Sequence, residues 1–272
     1  LGTLKAAPVS QCSGRRSEAA TEPFPDTGSR VVYTAIVGEV DLLVAPEIVD
    51  PGWDYVCFSD EPVSCAPWRW APVERDQPLS ARAARYLKVN ATTVLPSAEL
   101  SLWVDGNIQP LASAQALADR YLAAADLVFH PHPERSCLFD EAVAVIEQGK
   151  DAAATVVPQI VRYARAGMPP HAGLQATAAI LRRHTASVAG LDAAWWDEIS
   201  HGSHRDQLSL PYVLHARGQR YAEFDSDVWR GPLFRYRRHD GPNAPVKARR
   251  RETAPLAGAA HQASDAATRS QK

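Results

Sequence analysis

The chain has 272 residues, 46% of them apolar and 22% charged, with a formal net charge of −2. That suffices for one α/β domain with a substantial core and provides no long-range attraction to nucleic acid or anionic lipid. No apolar run approaches the ~20 residues that span a bilayer, and the N-terminus lacks the apolar stretch of a secretory signal, so a cytoplasmic protein without a transmembrane segment is expected.

Residues 1–29 are rich in Ala, Ser, Pro, Gly and charge, with no sustained period, and read as a disordered leader. Residues 30–37 form a β-branched run that opens at Gly38, and 53–59 a second apolar run that ends in Ser59-Asp60; both predict strands. A helix is expected over 78–94, a strand over 100–104, a helix over 113–124 and a strand over 126–130. Residues 136–149 and 152–166 have helical composition, with Gly149 and Gly167 as C-caps. A strand over 174–181 leads to Arg182-Arg183-His184. Further helices are expected over 193–199 and 206–216, the latter interrupted by Pro211. Residues 241–272 return to the composition of the leader and carry Arg249-Arg250-Arg251, which reads as a solvated tail. The alternation of strands and helices predicts α/β: a mixed, mostly parallel sheet with helices on both faces, in one domain over 30–240.

Cys12, Cys57, Cys65 and Cys137 form no C-x-x-C pair, which argues against a zinc knuckle. All four are read as reduced, Cys57 as a small core residue.

Ligands of a parallel sheet bind outside the C-terminal strand ends. Thr34 and Ala35 are therefore placed to meet a base or ribose, unless they belong to an ordinary first strand. Asp60 ends the second strand in the same way. The sharpest feature is Trp103-Val104-Asp105-Gly106-Asn107, an apolar strand that stops at a turn. Asp105 and Asn107 offer oxygen to a hard divalent cation, or they close a type I turn for backbone reasons alone. Upstream, Arg82, Arg85 and Lys88 recur at i, i+3 and i+6. Arg82 and Arg85 share a helix face, with Lys88 displaced around it. Guanidinium forks suit diphosphate oxygens; solvated helix surface is the plainer alternative.

Asp206, in Arg205-Asp206-Gln207, is either an N-cap worth ~1 kcal/mol or a site carboxylate, and Asp206→Asn is expected to leave stability intact in both cases. His130 and His132 would face opposite sides of a regular strand, so one metal could take both only if Pro131 re-aimed them. Trp195-Trp196 with Glu198 could stack a sugar ring or divide between core and surface.

In order and spacing, the 31–34, 53–60, 80–89, 95–96, 101–105 and 202–211 segments resemble the family-8-like glycosyltransferases of the GT-A fold. The nearer resemblance within that group is to the domain-of-unknown-function family numbered 616, whose members are described as glycosyltransferases. The resemblance implies a single GT-A-like domain, a nucleotide-sugar donor, a divalent cation (Mn²⁺ or Mg²⁺) and an acceptor that is a glycan, natural product or other small molecule. It assigns Thr34, Ala35, Asp60, Arg82, Arg85, Lys88 and Asp105 to the nucleotide-sugar. Asp105, Asn107 and the late His239 would hold the metal, and His130, Arg135 and Trp196 would line the acceptor side. Asp206 and Gln207 would lie beside the transferred sugar as the catalytic pair. Asn107 stands where the broader group has Asp, so one charge is missing. A catalytically degenerate nucleotide-sugar or glycan-binding protein on the same scaffold is the competing expectation. A hydrolase, suggested by a ceramidase-like activity attributed to that family, would need a zinc cluster or a nucleophile–base pair. The sequence reading finds neither.

Overall fold

A computed structural model describes residues 26–38, 40–73 and 80–239. The expected leader, except for residues 26–29, and the expected tail lie outside the described residues. Asp26 to Ser29 lead directly into the sheet: Thr27 is buried, the Gly28 N–H donates to Asp54 Oδ2 at 2.7 Å, and the Ser29 carbonyl accepts from Glu99 and Leu100.

The core is a seven-stranded sheet. In chain order its strands are β1 (Arg30–Ile36), β2 (Asp54–Ser59), β3 (Arg69–Pro72), β4 (Leu100–Val104), β6 (Leu127–Pro131), β7 (Gln175–Arg183) and β8 (Ala222–Glu223). Their spatial order is β3-β2-β1-β4-β7-β6-β8. A two-stranded ribbon pairs β5 (Ile108–Pro110) with β9 (Phe234–Tyr236). The β1, β2 and β4 strands are apolar on both faces because helices cover both sides. On one face Val31, Tyr33 and Ala35 pack with α1 (Ser80–Val89), α2 (Ala91–Val94), α6 (Ala186–His201) and α7 (Asp206–Arg217). On the other, Val32, Ile36, Leu102 and Val104 meet α3 (Ala114–Tyr121) together with Phe224 and Phe234. The remaining helices, α4 (Leu138–Glu147) and α5 (Ala153–Arg165), extend the layer beside α7, where Tyr163 stacks on Tyr212. This is the α/β architecture, a mixed and mostly parallel sheet with helices on both faces, that the alternation of strands and helices predicted.

Several elements differ from expectation for identifiable reasons. The 78–94 helix breaks at Asn90, whose Nδ2 turns back to the Tyr86 carbonyl at 3.1 Å. The α6 helix begins seven residues before the predicted 193, capped by Thr185, whose hydroxyl accepts from Val188 N–H; Gly190 inside it hid the pattern. Pro211 lies within α7 without ending it. The short strands β3, β5, β8 and β9 carry too few residues to show a period.

Strand β7 departs from the rest of the sheet. It runs antiparallel to both β4 and β6, while the other pairings in the sheet are parallel. Its N-terminal end therefore lies beside the C-terminal ends of its neighbours, with Val104 opposite Ala179 and Pro131 opposite Gln175. Chain reversal thus brings Gln175 and Thr177 to the edge where ligands bind.

A buried polar network fixes α1 on the sheet. Arg182, fully buried, donates to Tyr33 Oη at 3.3 Å and to the Lys88 carbonyl at 3.1 Å, and its Nε lies 3.5 Å from Asp192 Oδ1. Tyr33 Oη also donates to the Lys88 carbonyl at 3.2 Å, and Asp192 Oδ2 accepts from both the N–H and the hydroxyl of Thr92. The end of α1 is thereby held from beneath. Removing one partner of such a pair strands the other charge, so Arg182→Met should lower stability by roughly 3–5 kcal/mol in urea unfolding. A loss under about 1 kcal/mol, the scale of a surface pair, would show that the network does not hold α1.

Candidate functional site

At the C-terminal edge of the sheet, β4 ends in a tight turn: Asp105 N–H donates to the Ala178 carbonyl and the Asp105 carbonyl accepts from Ile108 N–H, each at 2.8 Å. Gly106 is required there because a Cβ would lie 2.9 Å from Ile36 Cγ1 and 3.1 Å from Asp41 Oδ2. Asp105 is thus a turn residue, but its side chain is engaged in more than a turn. Its Oδ1 accepts from Trp103 Nε1 at 2.8 Å and from Lys88 Nζ at 3.1 Å.

Lys88 is the centre of the arrangement. It is 1% exposed, and its ammonium also meets Thr177 Oγ1 at 3.0 Å and Asp206 Oδ2 at 2.7 Å. Thr177 Oγ1 in turn donates to Asp206 Oδ2 at 2.9 Å. The three N–H directions of the ammonium are thus matched by three protein partners, and Lys88 ties two carboxylates together rather than projecting toward a diphosphate.

Asp206 is buried at the start of α7, but Arg205, not Asp206, holds the N-cap position. The Asp206 Oδ1 accepts from Gln207 N–H at 3.2 Å and faces Arg85 Nε at 3.6 Å, while its carbonyl accepts from Trp195 Nε1. Burial pushes this carboxyl up, yet Lys88, Arg85 and Arg205 together outweigh that and hold it well below the usual carboxylate range. Arg205 was named in the sequence motif without a role. Its Nε and that of Arg85 are buried donors with no hydrogen-bond partner among the described residues. Three cations face Asp105 and Asp206 here, with Glu141 also acting on Arg205, and guanidinium groups of this kind suit an anion.

The other predicted residues divide. Asp60 sits at the edge as expected, with both carboxylate oxygens accepting from Gly38 N–H at 3.0 and 3.1 Å. Thr34 and Ala35 do not reach it: they are buried inside β1, which continues through Ile36. Arg82 leaves the cluster, because its guanidinium donates to the Ile199, Ser200 and Gly202 carbonyls that end α6. His130 does not line an open acceptor side. It is fully buried between Phe224 and Phe234, with Nδ1 on the Ser226 carbonyl at 2.8 Å, and burial pulls its pKa down to about 4. Arg135 pairs with Glu141 at 2.6 Å, and half-buried Trp196 meets Tyr86 edge-on.

The late histidine does return to the Asp105 turn. Pairing of Ile108 with Tyr236 carries the chain back, Asn107 Nδ2 donates to the Arg237 carbonyl, and His239 Nδ1 lies 2.7 Å from Asp41 Oδ1. Asp41, unmarked in the sequence, thus lies against His239 beside the Asp105 turn, and its carboxylate is of the hard-oxygen type that Mg²⁺ or Mn²⁺ takes. Asp41, Asp105 and His239 are not gathered as a tight trio. Among the described residues only Cys137, Asp140 and His171 bring three such ligand atoms within 4.8 Å of one another.

Thr177 was also missed. Strict alternation would place it on the face of Ala179 and Leu181, but the β6–β7 register shifts between Val128 and His130, and a shift of this kind turns side chains to the other face. A polar residue inside an apolar strand was the signal available. A surface depression of about 430 Å³ lies at the opposite edge, lined by Asp126, Ser187 and Arg217 among others. The paired and unpaired charges lie at the Lys88 edge, where α/β sheets bind ligands.

The expectation that Asp206→Asn spares stability is overturned by this geometry. Asn leaves buried Lys88 one carboxylate short, so unfolding measurements should register a loss of about 3 kcal/mol. A depressed native pKa contributes stability in full above the ordinary carboxylate value of 3.8 and loses it as pH falls through the native value. The parent should therefore lose stability below about pH 4 more steeply than the Asn variant. Equal stability and parallel pH curves would mean that the buried pair contributes nothing.

Residues 65–229, more than half of the chain, match the family described as TOD1/MUCI70, glycosyltransferase-like domain. A search of the curated proteins found no match. Among solved structures, mouse xyloside xylosyltransferase 1 in its apo form is 9% identical, with a TM-score of 0.40 over 72% of this chain and 85% of that one. The apo structure of the bifunctional glycosyltransferase WbbM is 10% identical, with a TM-score of 0.44 over 75% of this chain and 39% of that one. It is the family match that places the protein: this chain belongs to the TOD1/MUCI70 glycosyltransferase-like domain family.

Proposed function

We propose that the protein transfers a sugar from a nucleoside-diphosphate donor to an acceptor hydroxyl at the Asp105–Lys88–Asp206 edge. The observation that carries this reading is the pair of buried guanidinium nitrogens, Arg85 Nε and Arg205 Nε, that make no hydrogen bond among the described residues and lie beside two lysine-tied carboxylates. The site lies where the chain, having laid β2 and β3 on one side of β1, crosses to β4 on the other. Such switch points are where α/β sheets open a ligand crevice.

Arg85 and Arg205 would donate to diphosphate oxygens and stabilise the charge that develops as the donor bond breaks. Asp60 would contact the ribose or base. Asp105 and Asn107, with His239 and Asp41, would hold a divalent cation, which supplies Lewis-acid neutralisation of the diphosphate. Asp206, held ionised by its three cationic neighbours, is a poor proton acceptor. Its role would be to orient the sugar and stabilise positive charge at its anomeric carbon, with the half-exposed Gln207 beside it. Arg135 and Trp196 would border the acceptor. Retention of configuration belongs to this reading only through the family-8 likeness.

One observation favours the second reading, a nucleotide-sugar-binding protein without turnover: Asn107 lacks the charge of Asp, and its amide is occupied by the Arg237 carbonyl. Donor hydrolysis in a nucleotide-sugar screen separates the two, since only the enzyme releases free nucleotide.

Calorimetric titration of UDP and GDP, with and without Mn²⁺, tests the site itself. Binding should depend on Mn²⁺, and Asp105→Ala should remove the metal-dependent part while the protein stays folded. Equal binding by parent and variant, with and without chelator, would refute the assignment.

A further inference from the structure

The cluster of Cys137, Asp140 and His171 is independent of the nucleotide site and of its proposed chemistry. Cys137 is the N-cap residue of α4 and makes no side-chain capping bond, and Asp140 lies in the first turn of that helix. His171 comes from the connection between α5 and β7, more than thirty positions away. One ligand atom from each lies within 4.8 Å of the other two. The sequence shows no zinc pattern here because the residues come from two segments and only one is a cysteine.

The Cys137 thiol is buried at this helix start and makes no capping bond, and the His171 ring reaches the same place, its Nδ1 3.4 Å from Ser136 Oγ. His171 has φ 53°, a left-handed backbone that is uncommon outside glycine. Two residues on, Gly173 at φ 98° donates its N–H to the Ser136 carbonyl at 3.1 Å, which locks the connection against the residue before Cys137. A carboxylate at a helix start favours the helix dipole and would explain Asp140 alone. It does not explain the buried thiol beside it.

We propose that Cys137, Asp140 and His171 bind one Zn²⁺, with water as the fourth ligand. Thiolate, imidazole and carboxylate form a borderline donor set that suits zinc over Mg²⁺ or Mn²⁺, which separates this site from the oxygen-rich one at Asp105. Bonds of about 2.0–2.3 Å put tetrahedral ligands roughly 3.3–3.8 Å apart, so modest side-chain rotation closes the site. The Cys137 thiol is a free, buried cysteine and releases its proton to solvent as the metal binds. Asp140 and His171 are exposed, which leaves the fourth position open to water. The ion would clamp the α5–β7 connection to the start of α4, next to Glu141 and its partner Arg135.

The test uses the full chain, free of any affinity tag and stripped with chelator. Zn²⁺ is titrated against a chromophoric chelator, and Co²⁺ is added separately to follow thiolate-to-cobalt charge-transfer absorption. One metal per chain and a clear charge-transfer band are expected. Cys137→Ser should abolish the band. His171→Ala, which touches an exposed residue and leaves the core intact, should weaken zinc by roughly tenfold or more. Asp105→Ala should leave both readouts unchanged, whether or not the nucleotide reading holds. Absence of the band at one equivalent of cobalt, or zinc affinity that is the same in parent, Cys137→Ser and His171→Ala, would overturn the proposal.

Discussion

A lysine ammonium withdrawn from water must be matched by acceptors, and at Lys88 that requirement organises the whole edge of the sheet. The cost of burying an unpaired charge is several kcal/mol. The partners that offset it come from the end of β4, the start of β7 and the first residue of α7. The lysine itself is delivered from below, where Arg182 and Tyr33 grip its carbonyl. Four elements are thus held in register by one side chain. A displacement of any of them would leave a charge or a hydroxyl without its partner.

That constraint has a chemical result. Asp206 is deeply buried yet strongly acidic, because the cations around it outweigh desolvation. A carboxylate in that state keeps its charge over the whole physiological range and is unsuited to taking up protons. With its carboxylates already tied to Lys88, the edge would attract anions through the guanidinium groups of Arg85 and Arg205. A pyrophosphate group matches such a surface better than a neutral sugar does. The two candidate metal sites follow the same logic at the level of ligand type, with hard oxygen at the Asp105 turn and a thiolate-containing set at the start of α4.

Much of this was legible in the sequence where a local rule applied. The apolar run stopping at Asp105-Gly106-Asn107 declared a strand end, and the family pattern led to His239, which does return beside it. Gly149 and Gly167 each stand one residue past the C-cap, at Gln148 and Ala166, and adopt the left-handed φ that ends a helix. What could not be read depended on pairing between distant segments. Nothing local states that β7 runs antiparallel, and without that reversal Thr177 has no reason to meet Lys88. The register shift opposite β6 then turns it to the unexpected face. Arg82 and Arg85 look alike on a helical wheel, but only the position of the α6 end decides that Arg82 satisfies carbonyls. His130 was misjudged for a related reason. Its strand end is roofed by Phe224 and Phe234, which arrive from nearly a hundred residues downstream.

The central claim is that the edge gathered by Lys88 is where a nucleoside diphosphate sits. The most direct measurement is the crystal structure of the protein grown with UDP and Mn²⁺. Diphosphate density is expected within hydrogen-bonding distance of Arg85 and Arg205, with the metal over Asp105. Well-ordered nucleotide bound elsewhere, such as in the depression lined by Asp126 and Arg217 at the opposite edge, would contradict it.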